Sequence, residues 1–149
     1  MNTTDRSIPR PALWLGIGGL IPFVGMAALI LADMGNAVRW SYVLLNYGAV
    51  IVSFVGALHW GFAVLWPRPD QGLRTRLLVW SVVPALGAWV ALLLPTALGL
   101  PLLAALLAVH YAFDLALRRH GVLPKWYPRL RTALTLGAII SLLVATFAL

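Results

Sequence analysis

Ser41 to Trp66 reads SYVLLNYGAVIVSFVGALHWGFAVLW. No Asp, Glu, Lys or Arg interrupts this stretch, and it is longer than the about 20 apolar residues that an α-helix needs to cross a hydrocarbon layer. A helix on the surface of a water-soluble domain would keep one strongly polar face. This one keeps only Ser41, Asn46, Ser53 and His59 among aromatic, aliphatic and small residues. The stretch therefore assigns lipid as the solvent of the fold.

Four similar runs flank it: about 12–32, 77–94, 98–117 and 132–149. With 41–66 they predict an all-α polytopic membrane protein, one bundle of five transmembrane helices forming a single domain. Breaks between the runs carry the punctuation that ends helices: Asp33, Gly35 and Asn36; then Pro67 to Gly72; then the pair Pro95-Thr96; then the basic segment Arg118 to Arg131. The shortest of these, Pro95-Thr96, implies antiparallel neighbours. Pro22 lies inside the first run and predicts a bend there, because proline offers no N–H to the helical ladder. Pro101 is expected in the first turn of the fourth helix, where that loss costs nothing. Arg6 and Arg10 precede the first run as they would a signal peptide, but 12–32 is too long for a signal-peptide core. With Met1 in place the expectation is an uncleaved first helix.

Composition agrees with this solvent. Of 149 residues 62% are apolar and 10% charged, against about 25% charged in soluble domains. The chain has no cysteine, so disulfides and thiolate chemistry are excluded. The formal charge of +7 lies in short segments between apolar runs rather than on one soluble face, which argues for lipid headgroups and against nucleic acid.

Orientation follows from where the positive charges fall. Five crossings put Arg6, Arg10, Arg68, Arg74, Arg76, Arg118, Arg119, Lys125, Arg129 and Arg131 on one side and Arg39 alone on the other. Short loops rich in Lys and Arg stay in the cytoplasm. The N-terminus is therefore expected in the cytoplasm and the C-terminus in the periplasm of a bacterial inner membrane.

Two segments carry a resemblance: Tyr47-Gly48-Ala49-Val50-Ile51-Val52-Ser53-Phe54-Val55-Gly56-Ala57-Leu58-His59-Trp60-Gly61, and Leu123-Pro124-Lys125-Trp126-Tyr127-Pro128-Arg129-Leu130-Arg131 followed by Thr132, Leu134 and Thr135. They resemble an uncharacterised membrane family, domain of unknown function 3429, which includes mitochondrial transmembrane protein 69 and bacterial relatives. Asp114 also sits where that family tends to carry an acid before the basic loop. The resemblance covers nearly the whole chain. It implies a small multi-spanning membrane protein and transfers no activity.

Ionisable side chains inside lipid are costly and mark pairing or function. His59, His110 and Asp114 are such residues here. His110 and Asp114 are one turn apart on one helix face, and all three fall at similar depth in the cytoplasmic half, roughly 6–12 Å from their helix ends at 1.5 Å per residue. One expectation is structural: Asp114 pairs with Arg118, Arg129 or Arg131, and the histidines stay neutral and hydrogen-bonded. Another is a ligand site lined by His59, Trp60, His110, Asp114 and Trp126, suited to a quinone or lipid headgroup. A proton path through the same residues is a third. Haem ligation by His59 and His110 has the right residue type, but nothing else in the sequence selects it, and two histidines with one aspartate are too few to specify a metal. No cofactor and no metal are expected.

The tryptophans at helix ends, Trp40, Trp66 and Trp126, fit an interfacial belt, while Trp60 and Trp89 are expected in the core or in a pocket wall. Lys125, Trp126, Tyr127, Arg129 and Arg131 are candidate lipid headgroup contacts. Ala49, Ser53, Ala57 and Gly61, four apart, form a candidate helix-packing stripe. Phosphate-binding loops, nucleophile elbows and paired-histidine zinc helices are absent from the sequence, so no enzyme is expected. The preferred function is an accessory, scaffold or assembly protein that packs against a larger membrane complex or a second copy of itself. The alternative is a binder of a small ligand or a transporter of protons or solutes.

Overall fold

The computed structural model describes residues 7–65, 70–121 and 123–149. The described residues are helical and include no strand: α1 (Arg10–Ala32), α2 (Ala37–Leu65), α3 (Gln71–Leu93), α4 (Thr96–Leu117) and α5 (Tyr127–Phe147), with single 3₁₀ turns at Met34–Asn36 and Arg118–His120. All five are long and apolar enough to cross a membrane. Arg6, Arg68 and Trp66, used above for charge sorting and for the aromatic belt, lie outside the described residues.

Helix ends differ from the hydropathy reading where charged residues continue a helix beyond lipid. α3 starts at Gln71, well before 77, because the Asp70 side chain accepts from the Leu73 N–H and caps the first turn, as Asp does at N-caps. α5 starts at Tyr127, with Pro128 in its first turn, so Arg129 and Arg131 are helical rather than loop residues. α4 starts at Thr96, which moves Pro101 from the expected first turn into the helix interior. Pro22 and Pro84 are likewise carried inside continuous α1 and α3.

Side-chain contacts fix the directions. Gly56 of α2 faces Pro84 and Ser81 of α3, while Ala63 packs with Leu77, so these two run antiparallel. Gly87 faces Leu106, and Gly99 faces the Ala91 carbonyl, which sets α3 against α4. Asp114 meets Arg131 and Tyr111 meets Thr132 across α4 and α5. α1 lies parallel to α5, with Gly16 beside Leu134 and Gly137 beside Leu20. α2 is central and touches all four other helices, whereas α1 touches only α2 and α5 among the described helices.

One end of the bundle therefore gathers Arg10, Arg74, Arg76, Arg118, Arg119, Lys125 and Arg129; it is called the basic end below. The opposite end holds Arg39, stacked on Trp40, and Asp33, which accepts from Asn36. The main apolar core, with Phe23, Ile30, Leu44, Leu45, Leu100, Leu103 and Leu142, fills the half toward that opposite end. A small second apolar layer, Ala63, Leu77 and Leu117 with Phe62, Phe113 and Leu123 against it, closes the basic end. The outer faces are apolar and exposed, including Trp14, Ile21, Phe54, Trp60, Trp89 and Ile140, as lipid-facing surface should be.

The predicted packing stripe is displaced. Ala49 is buried, but Ser53 is half-buried, Ala57 is exposed, and nothing approaches the Gly61 α-carbon. The buried line of α2 is instead Ser41, Leu44, Gly48, Val52, Val55, Gly56, His59 and Ala63. The reason is geometric. Each step of four turns a helix by about 40° more than a full circle, so three such steps carry a stripe off the core face.

Candidate functional site

Between the main core and the apolar layer at the basic end lies a buried polar cluster drawn from four helices. α2 supplies His59, α3 Trp80, α4 His110 and Asp114, and α5 Arg131. Each sits on the inward face of its helix because apolar residues a turn away on either side are in the core: Val55 and Ala63 around His59, Leu107 and Leu117 around His110 and Asp114. His59 and His110 are fully buried, Asp114 is 2% exposed and Arg131 7%.

Asp114 is the hub. Arg131 donates from Nε to Asp114 Oδ2 at 2.9 Å. His59 Nε2 stands 3.1 Å from the other oxygen, Oδ1, within ion-pair reach though out of line for a hydrogen bond. His110 Nε2 faces the same Oδ1 at 4.0 Å. The two imidazoles meet edge to face, with centroids 4.7 Å apart. Phe62 and Phe113 close over His59, at 5.6 Å and 5.4 Å between ring centroids.

Trp80 settles the tautomer of His110. Its indole Nε1–H donates to His110 Nδ1 at 3.1 Å, and an indole N–H can only donate. Nδ1 must therefore present a lone pair, and neutral His110 carries its proton on Nε2, the nitrogen aimed at Asp114. Trp80 also stacks on Phe113, at 4.7 Å and 25°.

A metal ion is a natural question, since one ligand atom each of His59, His110 and Asp114 lie within 4.8 Å of one another. The donor set does not fit. A cation on His110 Nε2 would push the proton to Nδ1, against the Trp80 N–H. It would also sit beside the Arg131 guanidinium, which already neutralises the carboxylate.

Four predicted residues are placed otherwise than expected. Trp60 is 55% exposed on the outer face and Trp89 59%. Neither walls the cluster, because each follows or precedes an inward residue on its helix and points to lipid. Arg131 and Tyr127 turn inward rather than to headgroups. Arg131 pairs with Asp114, as the structural expectation allowed alongside Arg118 and Arg129, and the Tyr127 ring packs on Phe62 with its hydroxyl buried. Trp126 is half-buried against Tyr127, while Lys125 and Arg129 are exposed, as headgroup contacts require. Trp80 was not singled out by the sequence reading.

Along α5, Tyr127, Arg131 and Thr135 follow one another at one-turn spacing, and Tyr127 Oη, Arg131 Nη2 and Thr135 Oγ1 are buried without a hydrogen-bond partner among the described residues. Two of the grooves on the surface lie between helices. One, of about 270 Å³, runs between α3 and α4 and is lined by Thr75, Arg76, Val79, Trp80 and Phe113. The other, of about 320 Å³, lies between α1 and α5 and includes Val24, Leu31, Ile140 and Val144. Neither is lined by His59, His110, Asp114 or Arg131.

Comparison with known proteins agrees with the fold. The chain is 38% identical over 141 residues to transmembrane protein 69 of Xenopus tropicalis, covering 92% of this chain and 54% of that protein. It is 30% identical over 136 residues to transmembrane protein 69 of Mus musculus, covering 91% and 55%. The chain thus spans about half the length of these curated relatives. No solved structure matches it. A family model described as protein of unknown function DUF3429 matches residues 8–147, and with five membrane-crossing helices over that same span the chain belongs to this family of multi-pass membrane proteins.

Proposed function

We propose that this protein is a non-enzymatic accessory or scaffold of a membrane complex, with the buried cluster serving to fix its own helices. The supporting observation is that Asp114 is met by Arg131, His59 and His110 of the same chain, and that Ala63, Leu77 and Leu117 with their neighbours cover the cluster toward the basic end. A charge buried within the membrane is costly unless a partner meets it. Here the partner is internal, so the carboxylate is committed to cohesion rather than to a substrate. What remains for the outside is an apolar belt and a basic rim, surfaces suited to lipid and to other membrane helices.

The basic rim also gives the orientation we propose. Arginines and lysines at α-helix ends remain on the cytoplasmic side, which puts the N-terminus in the cytoplasm and the C-terminus in the periplasm of a bacterial inner membrane. The chain has no cysteine, so single cysteines introduced at Lys125 and Gly35 report topology without background. Labelling of Gly35→Cys from outside, and of Lys125→Cys only after permeabilisation, is the expected pattern; the reverse overturns the orientation.

Extraction in mild detergent followed by native electrophoresis tests the role. Migration with a larger complex or as a defined oligomer is expected. Recovery solely as a free monomer overturns it. A second reading, binding of a quinone or lipid headgroup or passage of a proton, draws on the buried polar atoms without partners at His59 Nδ1, Tyr127, Arg131 and Thr135. Asp114→Asn separates the two: loss of assembly favours the scaffold, and intact assembly with lost ligand binding or proton flux favours the second reading.

A further inference from the structure

The α3–α4 groove at the basic end has a composition that the scaffold reading leaves unused. Its walls are Val79, Trp80 and Phe113, and its mouth is Arg76 with Thr75. Arg76 precedes Val79 and Trp80 by one turn, on the side of the basic end, so a cation sits at the headgroup level and an apolar trough continues below it toward the membrane interior. The Thr75 hydroxyl already donates to the Gln71 carbonyl at 2.9 Å, which leaves the Arg76 guanidinium as the donor at the mouth. Arg76 is exposed, and among the described residues the ion pairs are confined to His59, His110, Asp114 and Arg131. Arg118 and Arg119, both exposed, extend the positive rim just past the end of α4.

We infer that this groove seats one anionic phospholipid, its phosphate on Arg76 and an acyl chain against Val79, Trp80 and Phe113. Charge complementarity selects the occupant. A second protein helix would have to bring an acid to Arg76, whereas an anionic lipid of the inner leaflet supplies the phosphate and the apolar tail on one molecule. A guanidinium binds phosphate through paired N–H donors. The seated chain would cover the outer face of Trp80, whose indole holds His110, so the lipid backs the wall of the polar cluster.

Native mass spectrometry of the whole protein, released from micelles containing equal phosphatidylglycerol and phosphatidylcholine, tests this. One phosphatidylglycerol should be retained in preference to phosphatidylcholine. Arg76→Gln should reduce that preference about fivefold, the worth of one cation near a lipid phosphate. Arg74→Gln, also exposed at the basic end but outside the groove, should leave it unchanged. Val79→Trp, at an exposed position that tolerates bulk, should fill the trough and abolish retention of either lipid; Val79→Phe serves if it does not fold. Equal retention of the two lipids, an equal loss with Arg74→Gln, or displacement of the lipid by excess inorganic phosphate overturns the proposal.

Discussion

From Phe23 to Leu142 the half of the bundle toward the Arg39 end is held mainly by apolar contact, with Tyr47 of α2 donating to the Gly19 carbonyl of α1 at 2.8 Å, and helices there approach at Gly48 and Gly99 until side chains of Leu103 and Leu45 touch backbone. A few turns away, the half toward the basic end is organised around one carboxylate shared among α2, α4 and α5, with Trp80 of α3 braced on His110. In water the first kind of contact would dominate stability. In lipid an apolar side chain gains little by exchanging acyl chains for a neighbouring helix, and close shape and hydrogen bonds decide association. The two halves thus do different work. The glycine-lined half sets how closely helices pack, and the polar half sets which helices are neighbours and in what register.

Substitutions can break that division. The largest effect is expected from Arg131→Met, which leaves Asp114 buried without its cation and should cost about 3–5 kcal/mol, read as a shift in detergent-driven unfolding of the purified protein. Adding Asp114→Leu should recover most of the loss, since removing both charges is close to neutral. A single variant as stable as the original would mean that the pair is not what holds α4 to α5. In the other half, Gly99→Val should cost about 1–3 kcal/mol from overpacking; a Cβ there would stand 2.5 Å from the Ala91 carbonyl oxygen and 2.9 Å from Leu45. Thermal denaturation in micelles checks it.

Smaller effects sharpen the same comparison. Trp80→Phe keeps the ring stack on Phe113 but deletes the donor to His110, and should cost about 1 kcal/mol. Nitrogen NMR should show His110 locked with its proton on Nε2 in the original protein and mixed between tautomers in the variant. Gly61→Ala should cost no stability and gain up to about 1 kcal/mol from helix propensity, because nothing lies within 4 Å of the added carbon. A large loss there would return Gly61 to the packing stripe.

The helix count and the gathering of basic residues could be read from the sequence because both depend on composition over long windows. So could the shared depth of His59, His110 and Asp114, which needs only rise per residue. Their partner was legible only as one of three basic residues, Arg118, Arg129 and Arg131. Hydropathy starts the last helix after Arg131, and a charged residue outside the apolar run reads as loop; the structure begins α5 at Tyr127, which turns Arg131 inward. Trp80 was hidden for a different cause. An aromatic residue in an apolar run looks the same whether it faces lipid or a histidine, and only the neighbouring helix tells them apart. Trp60 shows the converse, adjacent in sequence to His59 yet facing out.

The placement of α1 has a consequence for biogenesis. Its only neighbours among the described helices are α2 and α5, and α5 is made after α2, α3 and α4. α1 therefore stays half-covered until α5 has been made. Asp114 likewise emerges before its cation, which follows 17 residues later. Closure of the bundle waits for α5, and a chain cut before α5 would leave Asp114 without its cation and α1 without one of its two neighbours.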